Sequence, residues 1–407
     1  MVLTMVSPKL IGNTFLIPCS DGRRVSPRGL PRKDVDRQAE IEEKTGRLLR
    51  ALAADGLGGV ILSAQHNFAW LTAGGTSGVD TSREPGAAAL LVRADGRRFV
   101  LASRIEMARI LEEEIAGADF EPVDFAWEEE KARPTFLAEL AGSLVGGGAL
   151  GTDLPLGGEV RNVEGAVARC RYSLTPPELE RFRDLGRDAG ETLGELVKSL
   201  EPGLSELEVA RRTSDALATR GIRSIVTLAA ADERLAKFRH PVPTEKRWER
   251  VLMVVTCARR GGLVASLSRI VCKGPINDEL RRRTHAAARV NAHLLAATRP
   301  GARGSDLFRV AADAYAAEGF PGEEHLHHQG GAAGYKTRDW VAHPASQETV
   351  VENQAFAWNP SVTGTKVEET CIVSGEGVEL ITKTPGWPEI PVRLGGREYL
   401  SPDVLAL

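Results

Sequence analysis

The chain has 407 residues, of which 26% are charged and 42% hydrophobic, and its formal net charge at pH 7 is -3. This length favours two domains, and the mixture is that of an ordinary globular protein. The balanced charge gives no electrostatic reason to expect a nucleic acid or an anionic membrane as partner. No run of about 18 apolar residues is present, so the sequence predicts no membrane span.

The five cysteines are an odd number without C-x-x-C spacing, which argues against a disulfide framework and favours a reducing cytoplasm. Residues 1–31 are mildly apolar, but they lack a basic start and a compact apolar segment. They are therefore interpreted as an N-terminal tail and not as a signal peptide. The protein is expected in the cytoplasm.

Residues 32–165 alternate helical and extended patterns, as small α/β domains do. Apolar residues at helical spacing and short apolar runs bounded by glycine define the elements. Asp-Gly between two apolar runs is a strong hairpin signal. The predicted elements are a helix over 34–54, a buried strand at 59–62, a hairpin around Asp95-Gly96, and helices near 104–115 and 129–144.

Gly146, Gly148 and Gly151 satisfy the G-x-G-x-x-G spacing of dinucleotide-binding loops. That fingerprint needs a strand before it and a helix after it. Here the glycines follow a predicted helix and enter a strand-like segment. The motif is therefore interpreted as a flexible turn.

Two capping boxes open the second predicted domain, residues 170–395. Thr175 and Ser205 are suited to cap helices because Glu178 and Glu208 stand three residues after them. Pro at the first helical position after Thr175 strengthens the first of these signals. The two helices are predicted to extend to about Leu200 and Arg220.

An internal repeat relates residues 202–222 to residues 300–320 at an offset of 98 positions. Each copy begins with Pro-Gly and ends with Gly followed by an apolar residue, and a pair of strand-like segments follows each copy. Two copies are too few for a solenoid. They predict instead a pseudo-twofold domain with a site between its halves.

Paired histidines, an Arg-Asp pair and a Glu-Glu pair lie close together between His327 and Thr370, beside apolar strand segments. Polar groups at this density are costly to bury without a function. The order of motifs resembles the creatinase, Xaa-Pro aminopeptidase and methionine aminopeptidase family, whose members show a His-x-x-Gly-His-Gly block, a Glu-Pro-Gly strand and an Arg-x-Glu strand. The corresponding segments here are His327-His328-Gln329-Gly330-Gly331, Asn359-Pro360-Ser361 and Lys366-Val367-Glu368.

This resemblance covers about residues 32–390. It implies an α+β protein: a C-terminal domain with the pita-bread fold and its pseudo-twofold repeat, preceded by a smaller α/β domain of the creatinase type. Residues 67–72 resemble a turn of that smaller domain. The resemblance also implies a hydrolase and a homodimer.

The metalloenzymes of this family hold two metal ions with two Asp, one His and two Glu. Such anionic oxygen ligands and imidazole suit divalent ions. The turn between the two Asp positions is one residue shorter here, so that part of the alignment can shift by one. Four of the five positions are changed, to Thr256, Ser266, Gly331 and Asn359, and only Glu368 is retained. The sequence therefore predicts no metal cofactor, and a displaced site would have to use His327, His328, His343 and Glu368.

His240 lies in a segment that resembles the family's His-x-x-Pro-Thr turn. With the metal ligands changed, His240, His327 and Glu368 are predicted to be catalytic in acid/base roles, with a rate that depends on a group titrating near pH 6–7. Only one residue of His327-His328 is expected to face the site, and likewise only Glu368 of Glu368-Glu369. The predicted substrate-binding residues are His328, Arg338, Asp339, Asn359 and Lys366.

The family that this chain resembles includes creatinase, which hydrolyses a C–N bond without metal. The resemblance therefore implies that this fold can support such a reaction. The predicted function is a metal-independent hydrolase or lyase that acts on an amide, amidine or related C–N bond of a small molecule or short peptide. Two alternatives remain. One is an Xaa-Pro-type metalloaminopeptidase with an altered metal site, and the other is an inactive protein that binds a small molecule or a partner.

Overall fold

The structure, a computed structural model, describes residues 34–407, which contain eleven α-helices and nineteen β-strands. The predicted tail, residues 1–31, lies outside the described residues, as does Cys19. A π-helical turn follows α3 over Ile110–Glu114, and a 3₁₀ turn covers Glu323–His325.

The helices are α1 (Asp34–Asp55), α2 (Gln65–Leu71), α3 (Met107–Arg109), α4 (Trp127–Ala132), α5 (Phe136–Val145), α6 (Glu164–Arg171), α7 (Pro176–Lys198), α8 (Glu206–Ala218), α9 (Arg234–Lys237), α10 (Asp278–Ala297) and α11 (Gly304–Ala317). The strands are β1 (Leu57–Ala64), β2 (Pro85–Arg93), β3 (Arg98–Ser103), β4 (Glu121–Phe125), β5 (Ala149–Thr152), β6 (Arg161–Asn162), β7 (Arg223–Ala231), β8 (Val251–Arg260), β9 (Leu263–Cys272), β10 (Gly330–Ala333), β11 (Trp340–Val341), β12 (Ala355–Trp358), β13 (Ser361–Val362), β14 (Thr365–Lys366), β15 (Glu369–Ser374), β16 (Gly377–Leu380), β17 (Glu389–Leu394), β18 (Arg397–Pro402) and β19 (Leu405–Ala406).

The N-terminal part is a six-stranded sheet in the order β4-β3-β2-β1-β5-β6. The predicted hairpin at Asp95-Gly96 is confirmed, because β2 and β3 pair antiparallel across it. Gly146 ends α5 in the left-handed conformation and the chain then enters β5, so the G-x-G-x-x-G segment is a turn, as predicted.

Two local predictions in this part are wrong in detail. The helix predicted near 129–144 is split into α4 and α5, because Arg133 is extended before Pro134 and the residue before a proline disfavours the helical region. Residues 67–72 were expected to form a turn, but most of this segment belongs to the buried helix α2.

Both predicted capping boxes are present. The hydroxyl of Thr175 accepts a hydrogen bond from the backbone N–H of Glu178, and the carboxylate of Glu178 accepts one from the N–H of Thr175. Ser205 and Glu208 make the same reciprocal pair at the start of α8. These bonds satisfy backbone donors that a helix start leaves unpaired, so both helices begin where the sequence predicts.

The pseudo-twofold repeat is confirmed. The first half forms the sheet β19-β9-β8-β7, and the second forms the sheet β11-β10-β12-β15-β16. α8 and α11 start 98 positions apart, and each start is bonded to a later segment in the same pattern. In the first half the backbone N–H of Gly203 donates to Trp248, that of Trp248 to Leu204, and that of Glu206 to Lys246. In the second half the corresponding bonds run from Gly301 to Val350, from Val350 to Ala302, and from Gly304 to Glu348.

The two sheets meet where β9 lies beside the segment that enters β15. The backbone N–H of Ser268 donates to the carbonyl of Glu368 at 3.2 Å. The N–H of Ser266 donates to the hydroxyl of Thr370 at 2.8 Å, and that hydroxyl donates to the carbonyl of Ser266. This junction therefore places the motif segment around Glu368 against a strand of the first half.

Four cysteines lie in the described part of the chain, and all four are free thiols: Cys170, Cys257, Cys272 and Cys371. This agrees with the prediction that no disulfide framework is present in these residues. Across residues 34–407, no helix combines the length and the apolar character that crossing a membrane would require.

Candidate histidine and glutamate site

His240 lies in the loop between α9 and β8, and Glu206 at the start of α8 holds this loop in place. One carboxylate oxygen of Glu206 accepts from the N–H of Ala231 and from the Arg234 side chain, each at 2.8 Å. The other oxygen accepts from the N–H and the hydroxyl of Thr244. Sequence reasoning missed Glu206 because its partners are 25 to 38 positions away and no local motif marks them.

His327 and His328 lie between the 3₁₀ turn and β10. The side chain of Gln329 holds this segment in place. It donates to the carbonyl of His327 and accepts from the hydroxyl of Tyr315 at 2.7 Å. Gly330 then adopts φ +104°, and a Cβ there would lie 2.1 Å from the carbonyl oxygen of Ala357. The close approach of β10 to β12 therefore requires glycine directly after the histidine pair.

The three rings of His240, His327 and His328 form one cluster. The Nε2 atoms of His240 and His327 are 3.1 Å apart. The rings of His327 and His328 stack at a centroid distance of 4.6 Å, and the His240 ring is 5.9 Å from that of His328. The expectation that only one of the adjacent histidines faces the site is wrong, because the chain bends at His327 and does not alternate as a strand would.

All three histidines are held in their neutral form. Burial, with the positive charge of Lys366 as a second cause, lowers the pKa of His327 to about 2. Partial desolvation within the cluster, followed by the charges of Arg338 and Lys366, lowers the pKa of His328 to about 4. Partial desolvation and the charge of Lys366 also lower the pKa of His240. His327 and His328 are therefore not expected to titrate near pH 6–7, and the predicted pH dependence of the rate stays a prediction.

Glu368 is buried and keeps its negative charge. Its carboxylate accepts a hydrogen bond from the Ser268 hydroxyl at 2.6 Å and lies 3.0 Å from the ammonium of Lys366. The Arg338 guanidinium is 3.5 Å away. Although burial raises the pKa of Glu368, these cations and the hydroxyl outweigh it, and the net pKa is lowered.

The sequence had suggested that Glu369 points to the exterior. In the structure its side chain is buried instead. It is 4% exposed and pairs with Arg269 at 2.8 Å. The hydroxyl of Thr382 also donates to its carboxylate. Burial raises the pKa of Glu369 above its usual value despite the Arg269 charge. The two adjacent glutamates thus face two different buried cations, and only Glu368 adjoins Lys366.

Arg338 and Asp339 are separated by their contacts. Arg338 reaches the Ser266 hydroxyl and the carboxylate of Glu368. Asp339, in contrast, is paired with the buried guanidinium of Arg171 at 2.9 Å and belongs to a polar network with helix α6. The structure therefore brings Arg338 to Glu368 but does not bring Asp339, which was predicted to bind substrate, to the histidine cluster.

The register of β8 and β9 identifies which residues share the face of Glu368. Cys257 lies opposite Ser266, and the Ser266 hydroxyl donates to its sulfur at 3.4 Å. Thr256 lies on the other face, where its hydroxyl bonds to that of Ser224. The β8 side chain that faces Ser266 is therefore Cys257 and not Thr256.

The residues present do not fit the family's two-metal centre. A Cβ at Gly331, the position of the metal-binding histidine, would lie 2.1 Å from the carbonyl oxygen of Trp340, so no side chain can be placed there. Asn359 offers only a neutral amide oxygen, which is buried without a hydrogen-bond partner. Glu368 is already engaged by two cations. This set cannot neutralise two divalent ions.

His343 was considered for a displaced metal site and does not take part. It is exposed, and its Nδ1 accepts from the backbone N–H of Ala345 at 3.2 Å. The site as built therefore consists of the histidine cluster (His240, His327 and His328) and, beside it, the charged trio of Lys366, Glu368 and Arg338.

A pseudo-twofold pair of sheets with polar residues at their junction is the architecture of the pita-bread class. Comparison with known proteins agrees with this. The sequence profile of metallopeptidase family M24 matches residues 180–382. The chain belongs to this family of creatinase, aminopeptidase P and prolidase relatives.

Individual relatives are distant in sequence. The chain is 22% identical over 236 residues to an Xaa-Pro dipeptidase of Pyrococcus furiosus, which covers 56% of this chain and 67% of the relative. Among solved structures, an Xaa-Pro dipeptidase from Bacillus anthracis aligns with a TM-score of 0.70 at 18% identity, covering 90% of this chain and 100% of that one. A dipeptidase from Pyrococcus horikoshii aligns with a TM-score of 0.72 at 16% identity, covering 89% and 100%.

Proposed function

We propose that this protein hydrolyses a C–N bond of a small peptide or amide at the histidine cluster, without the two-metal centre of its family. The observation that carries the proposal is the 3.1 Å contact between the Nε2 atoms of His240 and His327, close enough to Lys366 and Glu368 for both charges to act on His240. Retained family positions meet here although most metal-ligand positions have been replaced.

The electrostatics of the site support this proposal. Lys366 and Arg338 contribute two positive charges against the single negative charge of Glu368, so the charged trio carries a net positive charge. Such a pocket favours a substrate with a carboxylate and stabilises the negative charge that develops on a carbonyl oxygen during attack. The neutral histidines keep their lone pairs available for the chemistry at neutral pH.

The surroundings of the cluster favour an apolar substrate group. Phe238 and Val242, each two residues from His240, are 44% and 68% exposed, and Leu326, next to His327, is 58% exposed. Phe238 also lines a narrow cavity together with Leu235, His327 and Lys366. Exposed apolar residues gathered at a polar cleft are typical of binding sites. The preferred substrate is therefore a short peptide or amide with an apolar side chain and a free carboxylate.

The direct test is a hydrolysis screen with Xaa-Pro dipeptides, other dipeptides, N-acyl amino acids and simple amidines. The proposal expects turnover of at least one carboxylate-bearing compound, with His327→Ala lowering kcat by about 10²–10⁴-fold. His325→Ala is the matched control, because His325 is 70% exposed and outside the cluster. Equal turnover by the His327→Ala and wild-type proteins would contradict the proposal.

A binding protein without turnover is the second candidate function, and the replaced family metal ligands favour it. In that case a carboxylate-bearing ligand would bind to the positive pocket and Lys366→Met would weaken its binding, yet no product would form. Calorimetric titration of the screened compounds alongside the activity assay separates the two candidates.

A further inference from the structure

The histidine cluster has a geometry that proton transfer alone does not require. Each of the three rings offers one nitrogen, and these nitrogens all lie within 4.8 Å of one another. Within residues 34–407, this is the group of histidine, cysteine or acidic side chains that converges closely enough to hold an ion. Two of its members, His240 and His328, are exposed, so the cluster is open to solvent on one side.

These distances are close to those of a three-histidine metal site. Zinc–nitrogen bonds are about 2.0–2.1 Å long, which places two nitrogens on one tetrahedral ion about 3.3–3.4 Å apart. The Nε2 atoms of His240 and His327 are already 3.1 Å apart. Closing the widest pair of nitrogens needs a shift of little more than about 1 Å, which exposed rings can make by side-chain rotation.

We propose that His240, His327 and His328 bind one divalent transition-metal ion at a site distinct from the carboxylate-bound centre of the family. Three protein nitrogens leave one coordination position open, as in catalytic zinc sites. Binding of the ion does not require that the protein be a hydrolase. Its use as a Lewis acid in C–N hydrolysis is a further step that rests on the proposed function.

The donor type determines which ion is expected. Imidazole nitrogen suits zinc, cobalt, nickel and copper, whereas magnesium and manganese prefer carboxylate oxygen. The neighbouring carboxylate, Glu368, is already bonded to Lys366 and Ser268. The site should therefore bind Zn²⁺ and Co²⁺ in preference to Mn²⁺, and Mg²⁺ least of all.

The surrounding charges set the conditions for binding. The positive charges of Lys366, Arg338 and Arg239 act on the histidine rings and oppose the binding of a cation there. These charges are partly compensated, because Lys366 and Arg338 are both paired with Glu368 and Arg239 is paired with Glu323. An anion in the open position, such as hydroxide or a substrate carboxylate, would offset the remaining charge.

The test uses the full, tag-free chain after metal removal, titrated with CoCl₂ and ZnCl₂. One ion per chain is expected, with visible absorption bands of four- or five-coordinate Co²⁺. His328→Ala should weaken Co²⁺ binding by at least about 100-fold, because loss of a second-shell partner alone costs about 10–100-fold. His328 is exposed, so this variant keeps the fold; His325→Ala is the matched control and should bind as the wild type does.

Three results would overturn the metal site: no Co²⁺ bound by the wild-type chain, unchanged affinity in His328→Ala, or two ions per chain that are lost in Glu368→Gln. The last would indicate the family's own centre instead. The proposed hydrolysis is judged separately. Turnover that persists in the presence of a chelator refutes only the metal's catalytic role, whereas metal binding without any turnover refutes only the hydrolase proposal.

Discussion

Glu368 illustrates how single residues decide the character of this site. Its carboxylate is 3% exposed and remains ionised because Lys366, Arg338 and Ser268 surround it. A buried ion pair of this kind adds little net stability, since desolvation offsets the attraction, but removal of one partner leaves an uncompensated charge. Loss of Lys366 should therefore cost more stability than the net contribution of the ion pair itself.

Lys366→Met is expected to destabilise the protein by about 3–5 kcal/mol, because it leaves Glu368 buried with only the more distant Arg338 as a cation. Lys383→Met is the control: Lys383 makes a comparable 3.1 Å contact with Glu389, but that pair is exposed and should change stability by less than about 1 kcal/mol. Urea unfolding at pH 7 measures both. Similar losses in the two variants would show that burial of the Lys366 pair is not the deciding factor.

His327 makes stability depend on pH. Its pKa is about 2 in the folded protein and about 6.5 when unfolded, so between these values only the unfolded chain takes up the proton. Stability therefore falls as pH decreases below about 6.5. Between pH 7 and pH 5, His327 should remove about 2 kcal/mol from the free energy of unfolding. Urea midpoints measured with EDTA should show a smaller drop in His327→Asn than in the wild type.

The exposed His325 supplies the matching control, because His325→Asn should leave the pH-dependent drop unchanged. If His327→Asn and the wild type lose the same stability between pH 7 and pH 5, His327 is not buried in its neutral form.

At the scale of elements, α7 packs closely against residues 381–384. Gly186, Gly190 and Gly194 recur every four residues along one face of this helix. A Cβ at Gly190 would lie 2.4 Å from the carbonyl oxygens of Thr382 and Lys383. These backbone carbonyls cannot move aside as the end of a side chain can. Helix α7 can therefore approach residues 382–383 this closely only because position 190 lacks a side chain.

Gly190→Ala is therefore expected to destabilise the protein by about 1–3 kcal/mol or more through overpacking, although alanine is the better helix former. Gly142→Ala, in the exposed face of α5, meets no atom within 4 Å and should stabilise by about 0.5–1 kcal/mol. Thermal unfolding of the pair gives opposite signs if the packing is as described. A gain of stability in both variants would mean that α7 does not approach residues 382–383 this closely.

At the scale of the whole described chain, a shared hydrophobic cluster and a buried ionic network join the N-terminal sheet to the repeat. The core is continuous from α1 and β1 through α7 to β8 and β9. Within it, Lys44 is fully buried and lies 2.6 Å from both Glu40 and Glu178, and its ammonium also donates to the carbonyl of Trp70. Tyr335 donates to Glu178. Because these groups come from both parts of the chain, the two parts are expected to unfold together.

Lys44→Met tests this coupling. Loss of the cation leaves Glu40 and Glu178 in the interior with fewer partners and should lower the stability of a single transition by about 3–5 kcal/mol. Lys131→Met, which removes an exposed lysine, is the control. Calorimetry, far-ultraviolet circular dichroism and tryptophan fluorescence should give coincident transitions. An early separate transition in Lys44→Met, with the main one unchanged, would show that the N-terminal sheet unfolds on its own.

Much of the architecture could be predicted because its signals are local or repeated. Capping boxes at Thr175 and Ser205 act within three residues, the Asp95-Gly96 hairpin depends on two, and the repeat is visible as an offset in the chain. For the same reason the motif segments around His240, His327 and Glu368 could be aligned with their family. These interactions are encoded by neighbours in sequence, so the sequence by itself determined them.

Only the tertiary structure decided which side chains share the site, because that depends on the direction of each side chain. A bend at His327 turns His328 into the cluster, and the pairing register places Cys257, not Thr256, on the face of Ser266. Asp339 is drawn away by Arg171, a residue 168 positions earlier. The pKa values of the histidines likewise depend on burial and on Lys366, which no spacing in the sequence reveals.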